Sequence, residues 1–188
     1  MPPSSEVSSR VDTAAALGCQ NDPVREWLVG GAVIETDEGL LLVRNRRRNG
    51  SHDWTPPGGV IEADDGEALL AGLEREVFEE TGLQVTSWGE KLYEVEAHAP
   101  GLGWVMKAQV WLAETVVGDV EVGNDPDGIV VDAAYVSCVD CADLLADSHD
   151  WVREPLVAWI GDRWPEPRTF RYRLDTEVPG ESRIIRLP

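Results

Sequence analysis

Short apolar runs with the spacing of β-strands recur along most of this chain. They predict strands over residues 27–35 and 40–44, which an Asp-Glu-Gly turn joins into a hairpin. Further apolar runs predict strands over 85–88, 91–98, 105–115 and 129–137. Between the strands predicted at 40–44 and 85–88, residues 56–59 are two prolines and two glycines, which exclude a regular helix or a central strand there.

Two stretches show helical spacing instead. Residues 67–81 carry Leu69, Leu73 and Val77 four positions apart, and Gly82 follows where a helix would end. Residues 140–159 form the second stretch, in which Pro155 either starts a new helix or kinks this one. Because strands and helices mix without a regular βαβ rhythm, the pattern favours an α+β fold with a mixed sheet.

The two ends of the chain differ from its middle. Residues 1–24 are rich in Ser, Ala and Asp without periodicity, which predicts a flexible or peripheral tail. Residues 170–174 and 183–187 alternate basic and apolar side chains, which predicts a β-hairpin within a C-terminal extension, 164–188. The main domain is then expected over residues 25–163.

Composition narrows the classes of function. The chain has 188 residues and a net charge of −19, which suits one domain and argues against extended contact with nucleic acid or an anionic membrane. No apolar run approaches the roughly 20 residues that cross a bilayer, and the N-terminus lacks an apolar signal core. Three cysteines cannot build a disulfide framework, which fits a reducing cytoplasm.

Acidic residues cluster on the first predicted helix. Glu76, Glu79 and Glu80 share one helical face and border its apolar stripe, where like charges repel most strongly. A hard divalent cation such as Mg²⁺ would relieve that repulsion, since it takes carboxylate oxygens and leaves sites for water and phosphate. The alternative from these residues alone is a solvated acidic face on a very acidic protein.

The surrounding residues resemble the signature of the Nudix family. That signature runs Gly, five residues, Glu, seven residues, then Arg-Glu-apolar-any-Glu-Glu-any-Gly-apolar, and this chain matches it from Glu67 through the segment REVFEETGL at 75–83. One departure is that seven residues, not five, separate Gly59 from Glu67, which places two extra residues in the loop near 63–65. The resemblance covers roughly residues 27–160 and implies an α/β/α sandwich around a mixed β-sheet.

The resemblance also implies a chemistry. Nudix proteins hydrolyse a nucleoside diphosphate linked to another moiety and require Mg²⁺ or Mn²⁺. By resemblance the metal ligands are Glu76, Glu79, Glu80, Glu67 and the Gly58 carbonyl. The catalytic set it implies is Glu79, Glu80, the orienting Arg75, and Asp127 from an acidic loop outside the signature.

Substrate contacts are expected just before and after the signature. Within the basic run at 44–48, Arg44 and Arg46 are candidates for phosphate binding, with a solvated loop as the alternative. Trp54 either stacks on a base or packs under the loop. Asp125, in the same acidic loop as Asp127, is a further candidate substrate contact, and the alternative for both is that they are solvated turn residues.

The expected function is a pyrophosphohydrolase acting on a small nucleotide-type molecule, foremost a nucleoside triphosphate. ADP-ribose or a nucleotide sugar is the alternative substrate. A catalytically silent Nudix-fold nucleotide-binding module is the alternative of another class, although such a module would normally have lost signature acids. The edge of the terminal hairpin also makes a homodimer possible.

Overall fold

The computed structural model of the chain describes residues 24–63, 66–176 and 182–188. Its strands are β1 (Arg25–Thr36), β2 (Gly39–Arg46), β3 (His52–Thr55), β4 (Gln84–Ala99), β5 (Trp104–Val117), β6 (Val130–Val136), β7 (Arg168–Asp175) and β8 (Arg183–Leu187). Its helices are α1 (Leu69–Thr81), α2 (Cys141–Leu144) and α3 (Asp150–Asp162). The predicted N-terminal tail, apart from its last residue, lies outside the described residues.

The strands form a mixed sheet that divides into two leaves. The larger leaf has the order β1-β5-β4-β7-β8, with β1 parallel to β5, β4 antiparallel to β5, and β7 parallel to β4. The smaller leaf places β2 between β3 and β6, antiparallel to both. Because β1 and β2 pair only beside their turn, at Glu35 with Leu40 and Thr36 with Gly39, the leaves separate beyond it.

The two faces of β1 and β2 belong to two hydrophobic cores. Val33 and Leu42 pack in a core with Leu156 and Trp159 of α3. Neighbouring positions on the same strands, among them Ile34, pack in a second core with Leu73 and Val77 of α1. Since successive side chains of a strand point to opposite faces, α1 and α3 cover opposite sides of the sheet. The α+β fold expected from the sequence is confirmed.

Several predicted boundaries need correction. The helix predicted over 67–81 begins at Leu69, so Glu67 lies in the preceding loop. The strands predicted over 85–88 and 91–98 form the single strand β4, whose register shifts between Val85 and Tyr93. The helical stretch 140–159 breaks before α3 because Ser148 is extended, and Pro155 lies inside α3.

The C-terminal residues extend the larger leaf. β7 and β8 pair as an antiparallel hairpin, and β7 lies alongside β4. Phe170 and Tyr172 are buried, and the Tyr172 hydroxyl donates a hydrogen bond to Glu154 on α3 at 3.0 Å. The hairpin therefore joins the sheet and its core. None of the described helices is long and apolar enough to span a membrane.

Candidate active site

A glycine loop after β3 brings backbone groups against β1. Gly30 donates an amide hydrogen bond to the Gly59 carbonyl at 2.9 Å, and Ala32 donates one to the Pro57 carbonyl at 2.8 Å. Gly58 has φ +141, and a Cβ there would collide with the Gly30 carbonyl oxygen. Only glycine can occupy this position without moving the loop away from β1.

The same loop receives two carboxylates of α1. The Gly58 amide donates a hydrogen bond to Glu80 Oε2 at 2.8 Å. The carboxylate of Glu76 occupies the space that a Cβ at position 59 would need. The absence of a side chain at 59 thus lets Glu76 approach the loop backbone, while glycine at 58 lets the loop lie against β1.

Arg75 is the cation at the centre of the acidic cluster. Its Nε donates to Glu67 Oε1 at 3.0 Å, and one terminal nitrogen donates to Glu76 Oε1 at 2.7 Å and to Glu79 Oε2 at 3.0 Å. Glu67 also accepts the Glu62 amide at 2.8 Å, which ties the loop to α1. Three of the four signature acids are therefore oriented by one guanidinium group.

Glu80 has no hydrogen bond to Arg75 and is the least compensated acid. Burial, together with the nearby Glu76 and Asp125, raises its pKa to about 8, although the Gly58 amide opposes that shift. Burial also raises the pKa of Glu76, whereas the bond from Arg75 lowers the pKa of Glu67. Protein atoms enclose most of the Glu80 carboxyl, yet the residue keeps partial access to solvent through the adjoining cavity.

The donor set fits a hard divalent cation. Glu76 and Glu80 supply carboxylate oxygens beside the loop, and carboxylates are ligands that Mg²⁺ prefers. Within the described ranges, no three His, Cys, Asp or Glu side chains are already gathered around one point suited to a metal. Arg75 instead draws Glu67, Glu76 and Glu79 toward its guanidinium group, so a cation would take over carboxylate oxygens from Arg75.

A cavity of about 910 Å³ opens beside these acids. One part of its lining is the acidic cluster, formed by Glu76, Glu79, Glu80 and Arg75 together with Gly58 of the loop. Its other walls include the aromatic and apolar side chains of Trp27, Val29, Tyr93, Val95, Met106, Val110 and Trp151. The cavity thus combines an acidic end with an apolar wall, which suits a molecule that has a charged part and a flat ring.

The acidic loop before β6 reaches this cavity. Asp125 and Asp127, both predicted from the sequence, line it. The carboxylate of Asp125 accepts the amides of Asp127, Ile129 and Val130 at 2.9, 2.6 and 2.9 Å, so it also holds the loop in shape. Among the described hydrogen bonds of Asp127, none involves its carboxylate, which leaves that group available toward the cavity.

Two predicted substrate contacts lie away from this cavity. Arg44 is absent from its lining, because on β2 it alternates with the buried Val43 and Asn45. Trp54 packs against the core beside α3, and its carbonyl accepts the Ser148 hydroxyl at 2.5 Å. For Trp54 the structure thus favours packing, the alternative that the sequence left open.

Other arginines of the basic run do reach the site. Arg47 and Arg48 line the main cavity and, together with Arg46, an adjoining cavity of about 720 Å³. Arg46 also donates a hydrogen bond to the Gly128 carbonyl at 3.4 Å, beside Asp127. The sequence located this basic run, but only the course of the chain after β2 decides which of its members face the cavity.

Sequence reasoning missed Asn45, Trp27 and Trp151, which also line the cavity. Trp27 stacks with Trp104 at a centroid distance of 6.3 Å, and Trp104 meets Trp151 edge to face at 6.4 Å. The three tryptophans come from β1, β5 and α3, so no local spacing could have grouped them. The alternation along β2, with Asn45 two positions after the buried Val43, was the one available signal for Asn45.

Comparisons with known proteins identify the family and the fold. The family model described as NUDIX domain matches residues 25–160. The E. coli ORF135 protein, at 21% identity, covers 76% of this chain and 96% of its own, with a TM-score of 0.61. The MutT protein from Methanosarcina mazei Go1, at 23% identity, covers 76% and 97%, with a TM-score of 0.59.

An ADP-ribose pyrophosphatase from Streptococcus suis 89-1591 is similar at 18% identity, over 76% of this chain and 98% of its own, with a TM-score of 0.51. Identities this low show a shared fold. The search of curated proteins found no significant match.

Proposed function

Because this chain belongs to the NUDIX family, whose model matches residues 25–160, we propose that it is a metal-dependent hydrolase of the diphosphate linkage in a nucleotide. The observation that carries the proposal is the pair Glu76 and Glu80, partly buried against the Gly58–Gly59 backbone at the end of the large cavity. Glu80 has no contact with Arg75, and Glu76 shares Arg75 with two other acids, so removing this pair from water is costly unless a further cation binds there.

Each signature residue has a distinct part in this proposal. Glu76 and Glu80 hold the cation with the Gly58 carbonyl, and Glu79 either joins them or accepts the proton of the attacking water. A bound Mg²⁺ or Mn²⁺ would supply Lewis-acid stabilisation of charge that develops on phosphoryl oxygens. Arg75 orients the carboxylates, and Glu67 anchors Arg75 to the loop. Asp127 is a second candidate base, because it lines the same cavity.

The substrate we propose is a nucleoside triphosphate-type molecule. Arg46, Arg47 and Arg48 line a second cavity that adjoins the main one at Asp127, where they would bind a further anionic group. The local positive charge also offsets the repulsion between an anionic substrate and a protein of net charge −19. ADP-ribose or a nucleotide sugar remains the alternative substrate, because its distal ribose or sugar would occupy the same cavity.

A catalytically silent binding module is the alternative of another class. It is disfavoured because Glu67, Glu76, Glu79 and Glu80 are all present and Arg75 orients three of them. We further propose action on small molecules in the cytoplasm, which the unpaired cysteines Cys138 and Cys141 support.

The test is product release from a panel of nucleoside triphosphates, ADP-ribose, a nucleotide sugar and dinucleoside polyphosphates, with Mg²⁺ or Mn²⁺. We expect turnover of triphosphates that EDTA and Glu80→Gln both abolish, while Glu90→Gln, an exposed acid, leaves it unchanged. Turnover confined to ADP-ribose or a sugar would favour the alternative substrate. Tight nucleotide binding without any turnover would favour the silent module.

A further inference from the structure

Two polar residues are buried in the smaller leaf without a role in the acidic cluster. Asn45 on β2 and Asp53 on β3 are 5% and 6% exposed, and they face each other across the strand pair. Among the other buried polar residues, Thr81 bonds the Val77 carbonyl and Ser148 bonds the Trp54 carbonyl. Those two contacts serve the fold, whereas Asn45 borders the cavity.

The partners of Asn45 fix the orientation of its amide. Its Nδ2 donates to Asp53 Oδ1 at 3.3 Å and to Thr55 Oγ1 at 3.0 Å. Because an ionised carboxylate only accepts hydrogen bonds, the amide nitrogen must face Asp53. Both amide hydrogens are therefore used, and the carbonyl oxygen Oδ1 faces away from Asp53.

That carbonyl oxygen has no hydrogen-bond donor among the described residues. No buried side-chain oxygen or nitrogen in that part of the chain lacks a partner. Asn45 Oδ1 must then be accessible, and the space that Asn45 lines is the main cavity. An unpaired acceptor at the wall of such a cavity is a site for a ligand donor group.

Asp53 couples this acceptor to the basic run. Its second oxygen accepts a hydrogen bond from Arg47 Nε at 2.7 Å, and the Asp53 side chain is 8% exposed. Arg47 also lines the cavity. One buried carboxylate thus holds both a neutral acceptor and a cation at the same wall, and it prevents the Asn45 amide from turning around.

The apolar part of the cavity lining indicates what the donor belongs to. Val29, Met106 and Val110 from the larger leaf, together with Trp27 and Trp151, present apolar and aromatic surface. A flat heterocycle fits between such a wall and a polar edge, because aromatic faces stack while ring N–H groups donate in the plane. A sugar hydroxyl would not use the aromatic wall in this way.

On the premise of the proposed function, we propose that Asn45 is a specificity-determining residue whose Oδ1 accepts a hydrogen bond from an N–H of the substrate's nucleobase. Asp53 is a positioning residue that keeps this oxygen directed into the cavity. The protein then distinguishes nucleobases by whether the edge that faces Asn45 carries an N–H donor.

Equilibrium binding tests the proposal without turnover. The probes are α,β-methylene nucleoside triphosphates with Mg²⁺, in pairs that differ by one donor: uridine against N3-methyluridine, guanosine against N1-methylguanosine, and adenosine against purine riboside. Quenching of tryptophan fluorescence reports occupancy, since Trp27 and Trp151 line the cavity. A further pair, ribose against 3′-deoxyribose, tests a sugar hydroxyl.

We expect the wild type to bind one donor-bearing base at least about tenfold more tightly than its donor-free analogue, because the bound analogue would cover the Asn45 oxygen without giving it a donor. Asn45→Leu should bind both members of that pair alike. Asp53→Asn should reduce the discrimination as well, since an amide at 53 permits Asn45 to turn. Gln109→Leu makes the same amide-to-leucine exchange on β5 at a residue outside the cavity lining and should keep the wild-type ratio.

Equal binding of every base pair by the wild type, or unchanged discrimination in Asn45→Leu, would overturn this inference. Discrimination that follows the sugar hydroxyl would overturn the assignment to the base. If nucleotides are hydrolysed without base preference, the proposed function stands and the role of Asn45 falls. If no nucleotide binds, both fall together. Circular dichroism of each variant shows that it is folded.

Discussion

At the scale of single residues, Glu80 differs from an ordinary surface acid. It accepts one amide hydrogen bond from Gly58, and Arg75 does not contact it. Its pKa of about 8 has burial as the largest cause. A carboxyl in this position keeps its proton at neutral pH in the absence of a cation, which gives a measurable dependence of stability on pH.

Glu80→Gln should stabilise the metal-free protein most at pH 8. Between the ordinary pKa of 4.5 and about 8, the unfolded chain releases the Glu80 proton while the folded chain retains it. The contribution of Glu80 to the free energy of unfolding is therefore fully present below pH 4.5 and is lost as the pH rises toward 8. Glutamine has no proton to release and avoids that loss.

Urea unfolding in EDTA at pH 5 and pH 8 measures the difference. The free energy of unfolding of Glu80→Gln should exceed that of the wild type more at pH 8 than at pH 5. Glu90→Gln, at an exposed position, should follow the wild type at both pH values. A pH dependence identical for Glu80→Gln and wild type would contradict the buried, protonated state of Glu80.

Arg75→Gln tests the guanidinium at the centre of the cluster. Its loss leaves Glu67, Glu76 and Glu79 without their shared donor, so the metal-free protein should lose about 1–3 kcal/mol of stability. Mg²⁺ should raise the thermal midpoint of this variant more than that of the wild type, because the cation replaces the missing charge.

Differential scanning calorimetry in EDTA and in Mg²⁺ measures both the loss of stability and the rise of the thermal midpoint that Mg²⁺ causes. Arg153→Gln is the control, since Arg153 pairs with Asp150 at the surface and such pairs contribute about 1 kcal/mol or less. Equal effects of the two substitutions, with equal responses to Mg²⁺, would show that Arg75 does not organise the acids.

At the scale of elements, local sequence specified the helix that carries the site. Helix α1 ends where the signature glycine stands, with Gly82 at φ +72 and its amide bonded to the Phe78 carbonyl at 2.8 Å. Its start was predicted two residues early, because Glu67 has a favourable helix propensity but bonds Arg75 from the loop. That tertiary contact overrides the local preference.

Gly82→Ala and Gly161→Ala should change stability in opposite directions. Alanine at 82 must adopt the left-handed conformation and should cost about 1–2 kcal/mol. Gly161 lies inside α3, has no positive φ, and a Cβ there meets no atom within 4 Å, so alanine should gain about 0.5–1 kcal/mol. Chemical denaturation of both variants checks this; a shift of the same sign in both would refute the assigned helix termini.

At the scale of the whole molecule, the C-terminal hairpin completes the larger leaf beyond the residues that the family model matches. Strand β8 is its outermost strand, and among the described residues only β7 pairs with it. Ile184 and Ile185 on β8 are only partly buried. An exposed strand edge of this kind can pair with a second copy.

A homodimer therefore remains a prediction of this fold. Light scattering at micromolar concentration should give twice the 20.7 kDa mass of the chain. Pairing through β8 should also be sensitive to Leu187→Pro, because proline lacks the backbone donor that a strand ladder uses. A mass of one chain for the wild type would exclude this dimer at that concentration.

The sequence by itself determined the parts of this protein that depend on neighbours along the chain. The strand and helix periods, the spacing of Glu76, Glu79 and Glu80 on one helical face, and the glycines at 58, 59 and 82 are all local. They were sufficient to predict the α+β fold and the composition of the acidic cluster, because helical geometry converts spacing into a shared face.

Only the tertiary structure decided what surrounds that cluster. The cavity joins β1, β2, β4, β5 and α3, so the inclusion of Asn45, Arg47 and Trp151, and the exclusion of Arg44 and Trp54, follow from how the two leaves separate. The raised pKa of Glu80 likewise depends on its burial in the folded chain. Contacts between distant segments arise from packing of the whole chain, and no local spacing encodes them.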